Sequence, residues 1–340
     1  MNPFTERSRI TDPHRFTGRW RELGMIFERL ESRRPVMLSG VAGSGKSSLL
    51  THLHQSAASV LEIPDLASFF VDLAVLPDAA TACGLVTRAL GYRGDAPADL
   101  ERALAGSGRT VLVCLDGADA ALAAGWGEEL LERLARMARR SVPLDPDGIA
   151  PPGAGLFDLL LVAAAGAAPP PLSEPYAQVR LGAISAEEVR LLTEAYLDES
   201  GVEFTGSELR ELGALSAGHP AYLQRAAYHL FEARLRPGYG WRAAYLAEAR
   251  ERPVPGAPLP PEVFRGEGDG ARDEGAAAPL EPAAEREAPE LLAAGRPADL
   301  IAAVAPVVLA LLALALGAGW PVALAVLVAG YLVAWLATRA

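Results

Sequence analysis

Apolar runs and helical patterns alternate along the first half of the chain. Leu23, Ile26, Phe27 and Leu30 recur at helical spacing and predict a first helix. The apolar run 35–38 predicts a strand, and 47–54 a helix leading out of the glycine-rich turn between them. Strands are then expected at 68–74, 110–115, 157–164 and, shorter, 178–181, with helices at 79–90, 98–105 and 128–140. This alternation is that of βα units, so the expected fold class is α/β with a five-stranded, mostly parallel sheet. Residues 141–155, rich in Pro, Gly and Asp, read as a loop. Beyond the sheet, 185–218 is helical in pattern and opens on the capping box Ser185-Ala186-Glu187-Glu188.

The pattern changes after residue 251. From 252 to 297 Pro, Gly, Ala and Glu dominate, and such a stretch buries too little surface to offset its ordering entropy, so a flexible linker is expected. The chain is then apolar over 300–316 and 322–336, broken by Gly317-Ala318-Gly319-Trp320-Pro321. Each stretch is about 17 residues or fewer, roughly 25 Å at ~1.5 Å per residue, a short span for a bilayer. Arg296 and Arg339 would flank a membrane hairpin on one side and Trp320 would sit at the other interface, with the rest of the chain cytoplasmic. A buried helical hairpin is the soluble alternative. The expected domains are a core at 1–183, a helical unit at 184–251, the linker at 252–297 and the hairpin at 298–338.

Composition sharpens this picture in three places. Hydrophobic residues make up 51% of the 340, a surplus concentrated in the last forty positions. The net charge of −11 argues against a nucleic-acid partner, which needs a clustered basic face, so Arg133, Arg136, Arg139 and Arg140 are expected to be a solvated face paired with glutamates. Cys83 and Cys114, both in apolar surroundings, suggest a reducing setting, and the charged stretch 1–31 suggests no signal peptide.

The chemistry is concentrated in Gly40-Val41-Ala42-Gly43-Ser44-Gly45-Lys46-Ser47, which satisfies G-x-x-x-x-G-K-[ST] at every fixed position. In such a cradle Gly40, Gly43, Ser44, Gly45, Lys46, Ser47 and Ser48 would surround a polyphosphate with N–H groups and the positive end of a helix. Lys46 would meet the β- and γ-phosphates, and Ser47 would ligate Mg²⁺. The run Val111-Leu112-Val113-Cys114-Leu115-Asp116 closes a strand on a carboxylate, the form in which Asp116 would hold a Mg²⁺-bound water. The following position, where a water-orienting acid would stand, is Gly117, and the next acid is Asp119; these carboxylates are the candidate catalytic pair, Asp116 and Asp119.

Two further motifs carry a family resemblance. Phe16-Thr17-Gly18-Arg19 precedes the first helix, and Gly218-His219-Pro220 is followed by Tyr222-Leu223-Gln224. Together with the phosphate loop and Asp116 they cover 16–250 and resemble prokaryotic STAND ATPases, relatives of the AAA+ proteins, or a close origin-recognition-like AAA+ relative. The resemblance implies that Phe16 and Arg19 lie near the base, that 184–251 is a lid, and that Pro220 sits beside the nucleotide. An ordinary helix break and restart would also account for Gly218-His219-Pro220. The family's polar sensor after the fourth strand has no counterpart in Val162-Ala163-Ala164-Ala165-Gly166.

The resemblance, the apolar hairpin and the glycine after Asp116 together lead to the expectation of a membrane-anchored switch that binds ATP or ADP with Mg²⁺, hydrolyses slowly, self-associates on binding ATP and answers to a partner or sensor protein. A cycling AAA+ remodeller of membrane partners and a non-hydrolysing ATP-bound adaptor are the alternatives.

Overall fold

The computed structural model describes residues 2–5, 7–141, 157–168, 171–198 and 200–265. The chain divides into two units, 1–272 and 273–340, and every described residue belongs to the first. The hairpin expected at 298–338 and most of the linker lie outside the described residues. Among the described residues no helix is long and apolar enough to cross a membrane.

Five parallel strands, β1 (Val36–Ser39), β2 (Ala67–Asp72), β3 (Thr110–Asp116), β4 (Asp158–Ala165) and β5 (Ala177–Arg180), form one sheet in the order β2-β3-β4-β1-β5. Each lies within one or two residues of its expected place, and all the pairings are parallel. Successive residues point to opposite faces. Met37, Val113, Leu115, Leu161 and Ala163 pack on one side against α3 (Ala79–Ala89), α4 (Pro97–Ser107) and α6 (Gly127–Arg140). Val36, Leu38, Leu112, Cys114 and Val162 pack on the other against α1 (Trp20–Glu31) and α2 (Lys46–Val60). Helix α2 runs six residues past its expected end because 55–60 contains neither Gly nor Pro to stop it. A short helix that the pattern did not reveal, α5 (Ala118–Ala123), follows β3. Three of the four α6 arginines are paired with glutamates as expected: Arg136 and Arg139 with Glu174, Arg140 with Glu101.

One buried ion pair locks the sheet's lower end. Asp158, fully buried, accepts two bonds of 2.7 Å from the Arg33 guanidinium and one of 2.9 Å from the Thr110 hydroxyl. Both carboxylate oxygens are thus satisfied, which a buried charge requires.

The helical unit comprises α7 (Ala186–Leu197), α8 (Gly206–Ser216), α9 (Pro220–Leu235) and α10 (Trp241–Glu251). The long helical pattern at 185–218 divides because Thr205 and Glu208 form a second capping box that starts α8. The core of this unit also includes Phe4, Val254 and Val263. The linker assignment for 252–297 is therefore corrected at its start: 252–265 packs on the helices and ends in α11 (Pro261–Arg265). Two valines at the right spacing anchor a stretch whose average composition is that of a tether.

Candidate functional site

The carboxyl ends of β1, β3 and β4 meet at the phosphate loop, because β4 lies between the other two. Gly43 and Gly45 hold φ of +71° and +97°, conformations that turn loop N–H groups inward at little steric cost only for glycine. No side chain caps α2, whose N-cap is Gly45, so its first-turn N–H groups are available to an anion. The Ser44 hydroxyl is buried and has no hydrogen-bond partner among the described residues. An uncapped helix start beside an orphaned hydroxyl fits a phosphate group.

Lys46 donates to the Gly40 and Val41 carbonyls at 2.7 and 3.0 Å, so its ammonium is held inside the loop. Burial lowers its pKa, and the charges of Asp119 and then Asp116 oppose that shift. Burial raises the pKa of Asp116, offset by hydrogen bonds from the Ser47 hydroxyl and the Gly117 N–H; nearby Asp72 adds to the rise. Ser47 and Asp116 are thereby brought together, as the donor set for a hard cation demands. Gly117 has φ +67° and precedes α5, which carries Asp119 back toward β4: a Cβ on Gly166 would lie 3.7 Å from the Asp119 carboxylate. At the end of β4 the chain offers Ala165 and Gly166, neither with a polar side chain.

The loop opens into a cavity of about 400 Å³, in the size range of small-molecule sites. Gly43, Ser44, Gly45, Lys46, Ser47 and Ser48 line it, as do Phe16, Arg19 and Pro220. Apolar Ile10, Ile184 and Leu192 complete a wall suited to a flat ring, and Phe16 stacks on His52 at 4.4 Å. Gly40 is placed differently. It sits under the loop, where a Cβ would lie 2.7 Å from the Ser44 hydroxyl and 3.0 Å from the Leu181 carbonyl.

Several contacts explain how the loop is held. Arg19, at φ +58° and almost wholly buried, spans three elements: its guanidinium donates to the Ser44 carbonyl at 3.1 Å, to the Gly182 carbonyl at 2.7 Å and to Glu22 at 3.0 Å. Its backbone N–H donates to Glu188 at 2.7 Å, which ties the start of α1 to the cap of α7. His219 donates from Nε2 to the Ala42 carbonyl at 2.9 Å, leaving Nδ1 buried and unpartnered among the described residues. A Cβ on Gly43 would come within 2.8 Å of the His219 ring, so the start of α9 rests directly on the loop tip.

Sequence reasoning missed part of the wall. Arg7, Ser8, Arg9 and Ile10 line the cavity, and the Ile10 N–H donates to the Ser48 hydroxyl at 3.0 Å, so Ser48 also anchors the N-terminal segment. Gln224 and Arg225 face it from α9. The arginines lay in an unpatterned N-terminal stretch and within a helix read only as a lid, so no local signal marked them.

No protein-family model matches the chain, and no curated protein matches it. Among solved structures, the Walker-type ATPase of Pyrococcus abyssi is similar at 15% identity over 73% of this chain and 76% of that one, with a TM-score of 0.52. The RuvB Holliday junction branch migration motor of Thermotoga maritima aligns at 14% identity over 71% and 73%, with a TM-score of 0.44. A STAND protein with a tetratricopeptide repeat sensor from Pyrococcus horikoshii aligns at 20% identity over 65% of this chain and 30% of that one, with a TM-score of 0.38. The likeness to the first is one of fold, that of a P-loop ATPase.

Proposed function

We propose that this chain is a STAND-type ATP switch, anchored in a membrane through 298–338, with slow hydrolysis and ATP-dependent self-association under the control of a partner protein. The observation that carries the reading is the contact between the lid and the loop tip. His219 bonds to Ala42 and crowds Gly43, so a phosphate held by the loop N–H groups bears on the same backbone as the lid. Lys46 and the α2 N-terminus would hold the β- and γ-phosphates, Ser47 and Asp116 would hold Mg²⁺, and the apolar wall around Phe16 would take the base. The cation would neutralise phosphate charge. Asp119, carried to the end of β4, is the residue positioned to orient water and accept its proton, a role Gly117 cannot fill.

The position of Asp119 also supports a second reading, a cycling ATPase that remodels membrane partners. Steady-state and single-turnover hydrolysis by the full-length protein, with and without liposomes, separates the two. The switch reading expects nucleotide binding by calorimetry, lid protection from protease that differs between ATP and ADP, and turnover far below one per second. Many turnovers per second, abolished by Asp119→Ala, would establish the cycling enzyme instead. Carbonate extraction tests the anchor, and release of the intact chain into the supernatant would refute it.

A further inference from the structure

The segment that leaves α10 is built as an ordered strap. Val254-Pro255-Gly256-Ala257 closes a turn in which the Ala257 N–H donates to the Val254 carbonyl at 3.1 Å. Gly256 takes φ +74°, and proline followed by glycine is the order that a type II turn requires. The turn is pinned where it begins: the Val254 N–H donates to the hydroxyl of fully buried Tyr222 at 3.0 Å, and the Arg252 carbonyl accepts from the Arg225 guanidinium. It is pinned again beyond its end, where the Val263 carbonyl accepts 3.0 and 2.7 Å bonds from Arg250.

This strap lies on the phosphate loop. A Cβ on Gly43 would fall 3.1 Å from a Val254 methyl, and one on Gly256 would fall 3.4 Å from the Ala42 Cβ. Val254 and Pro255 line the same cavity as Lys46 and Ser47. Any ligand that fills the cavity therefore meets the strap, and any shift of the loop tip displaces Val254. Beyond 265 the chain runs on to its two apolar stretches.

We propose that residues 252–257 form a wall of the phosphate site, held there by Tyr222 as a positioning residue, so that occupancy of the site fixes the strap through which the chain passes to its apolar C-terminal stretches. The inference rests on the nucleotide reading of the cavity. Linkage makes it reciprocal: a ligand that prefers the seated strap holds it in place, and a loosened strap weakens the ligand by the same factor.

Hydrogen exchange over 252–260 in the full-length, detergent-solubilised protein, with and without saturating Mg-ADP, tests this together with calorimetric affinity. In the parent, Mg-ADP is expected to slow exchange of the hydrogen-bonded Val254 and Ala257 amides at least about fivefold. Tyr222→Phe removes only the hydroxyl and is expected to speed that exchange and weaken Mg-ADP severalfold. Gly256→Ala, which strains the turn without touching the helical core, is expected to do the same. If the parent binds Mg-ADP while exchange at 252–260 is unchanged, or if both variants bind as tightly as the parent, the strap proposal is overturned and the nucleotide reading stands. If the folded parent binds no nucleotide, both fall.

Discussion

Gly117 directly follows Asp116 at the carboxyl end of β3, and its geometry predicts what happens if a water-orienting acid is placed there. At φ +67° any L-residue carries the left-handed penalty of ~1–2 kcal/mol. A Cβ there would also stand 3.0 Å from the Ala74 Cβ and 3.1 Å from the Ala74 nitrogen, so the turn after β2 must give way. Gly117→Ala should therefore destabilise by at least that amount. At about 2–4 °C per kcal/mol for a unit of this size, the melting temperature should fall ~2–8 °C. Gly117→Glu adds a carboxylate beside Asp72 and Asp116, whose own pKa is already raised, so it should melt no higher than the alanine variant. A correctly placed acid would be worth ~10²- to 10⁴-fold in rate, and no such gain is expected here. Differential scanning fluorimetry with single-turnover hydrolysis measures both quantities. A Gly117→Glu protein that melts with the parent and hydrolyses ATP a hundredfold faster would refute the argument and make the glycine a simple loss of the catalytic acid.

Other perturbations probe separate parts of the molecule. Lys46→Ala should remove most nucleotide affinity by calorimetry with little change in melting temperature, because among the described residues its ammonium bonds to the loop carbonyls of Gly40 and Val41; unchanged affinity in a folded variant would overturn the phosphate assignment. Asp158→Ala leaves the half-buried Arg33 without its partner and should cost about 3–5 kcal/mol in urea unfolding; a cost below ~1 kcal/mol would show that the pair is dispensable. Burial chiefly lowers the His219 pKa below 6.5, with Arg225, Lys46 and Arg19 adding to the shift against the Ala42 hydrogen bond. The unfolded chain then binds a proton that the folded chain refuses, so stability should fall as pH drops below about 6.5 and level off under the folded pKa. His219→Gln should flatten part of that dependence in thermal melts between pH 5 and 7.5, and identical profiles would deny His219 the role.

How much of this site was legible in the sequence depends on how far each residue acts from its own backbone. The phosphate loop, the strand that ends in Asp116 and the capping box at Ser185 are local devices, in which spacing alone places donors or carboxylates, and each lies where the pattern put it. The residues that hold the loop act on backbone atoms far along the chain. Arg19 reaches the Ser44 carbonyl 25 positions away and Gly182 at 163, and His219 reaches Ala42 at 177. Side-chain bonds to distant carbonyls impose no requirement on the identity of the partner residue, so they leave no pattern to read. The strap failed for a related reason, since a composition average over 252–297 hides two buried valines and one tyrosine hydroxyl 32 residues upstream. All three contacts converge on residues 42–44, the tip of the loop, from the entry segment, the start of α9 and the strap. Loosening any one of them should weaken a ligand held by that loop without touching a group that meets phosphate. Arg19→Lys is the sharpest case: it keeps the charge but has one nitrogen on a shorter stem, so it cannot bond Glu22 from Nη1 while Nη2 holds the Ser44 and Gly182 carbonyls, and affinity should drop severalfold while the sheet stays folded. Calorimetry on Arg19→Lys beside Lys46→Ala distinguishes a residue that shapes the cradle from one that fills it, and equal affinity in Arg19→Lys and the parent would show that the loop keeps its shape unaided.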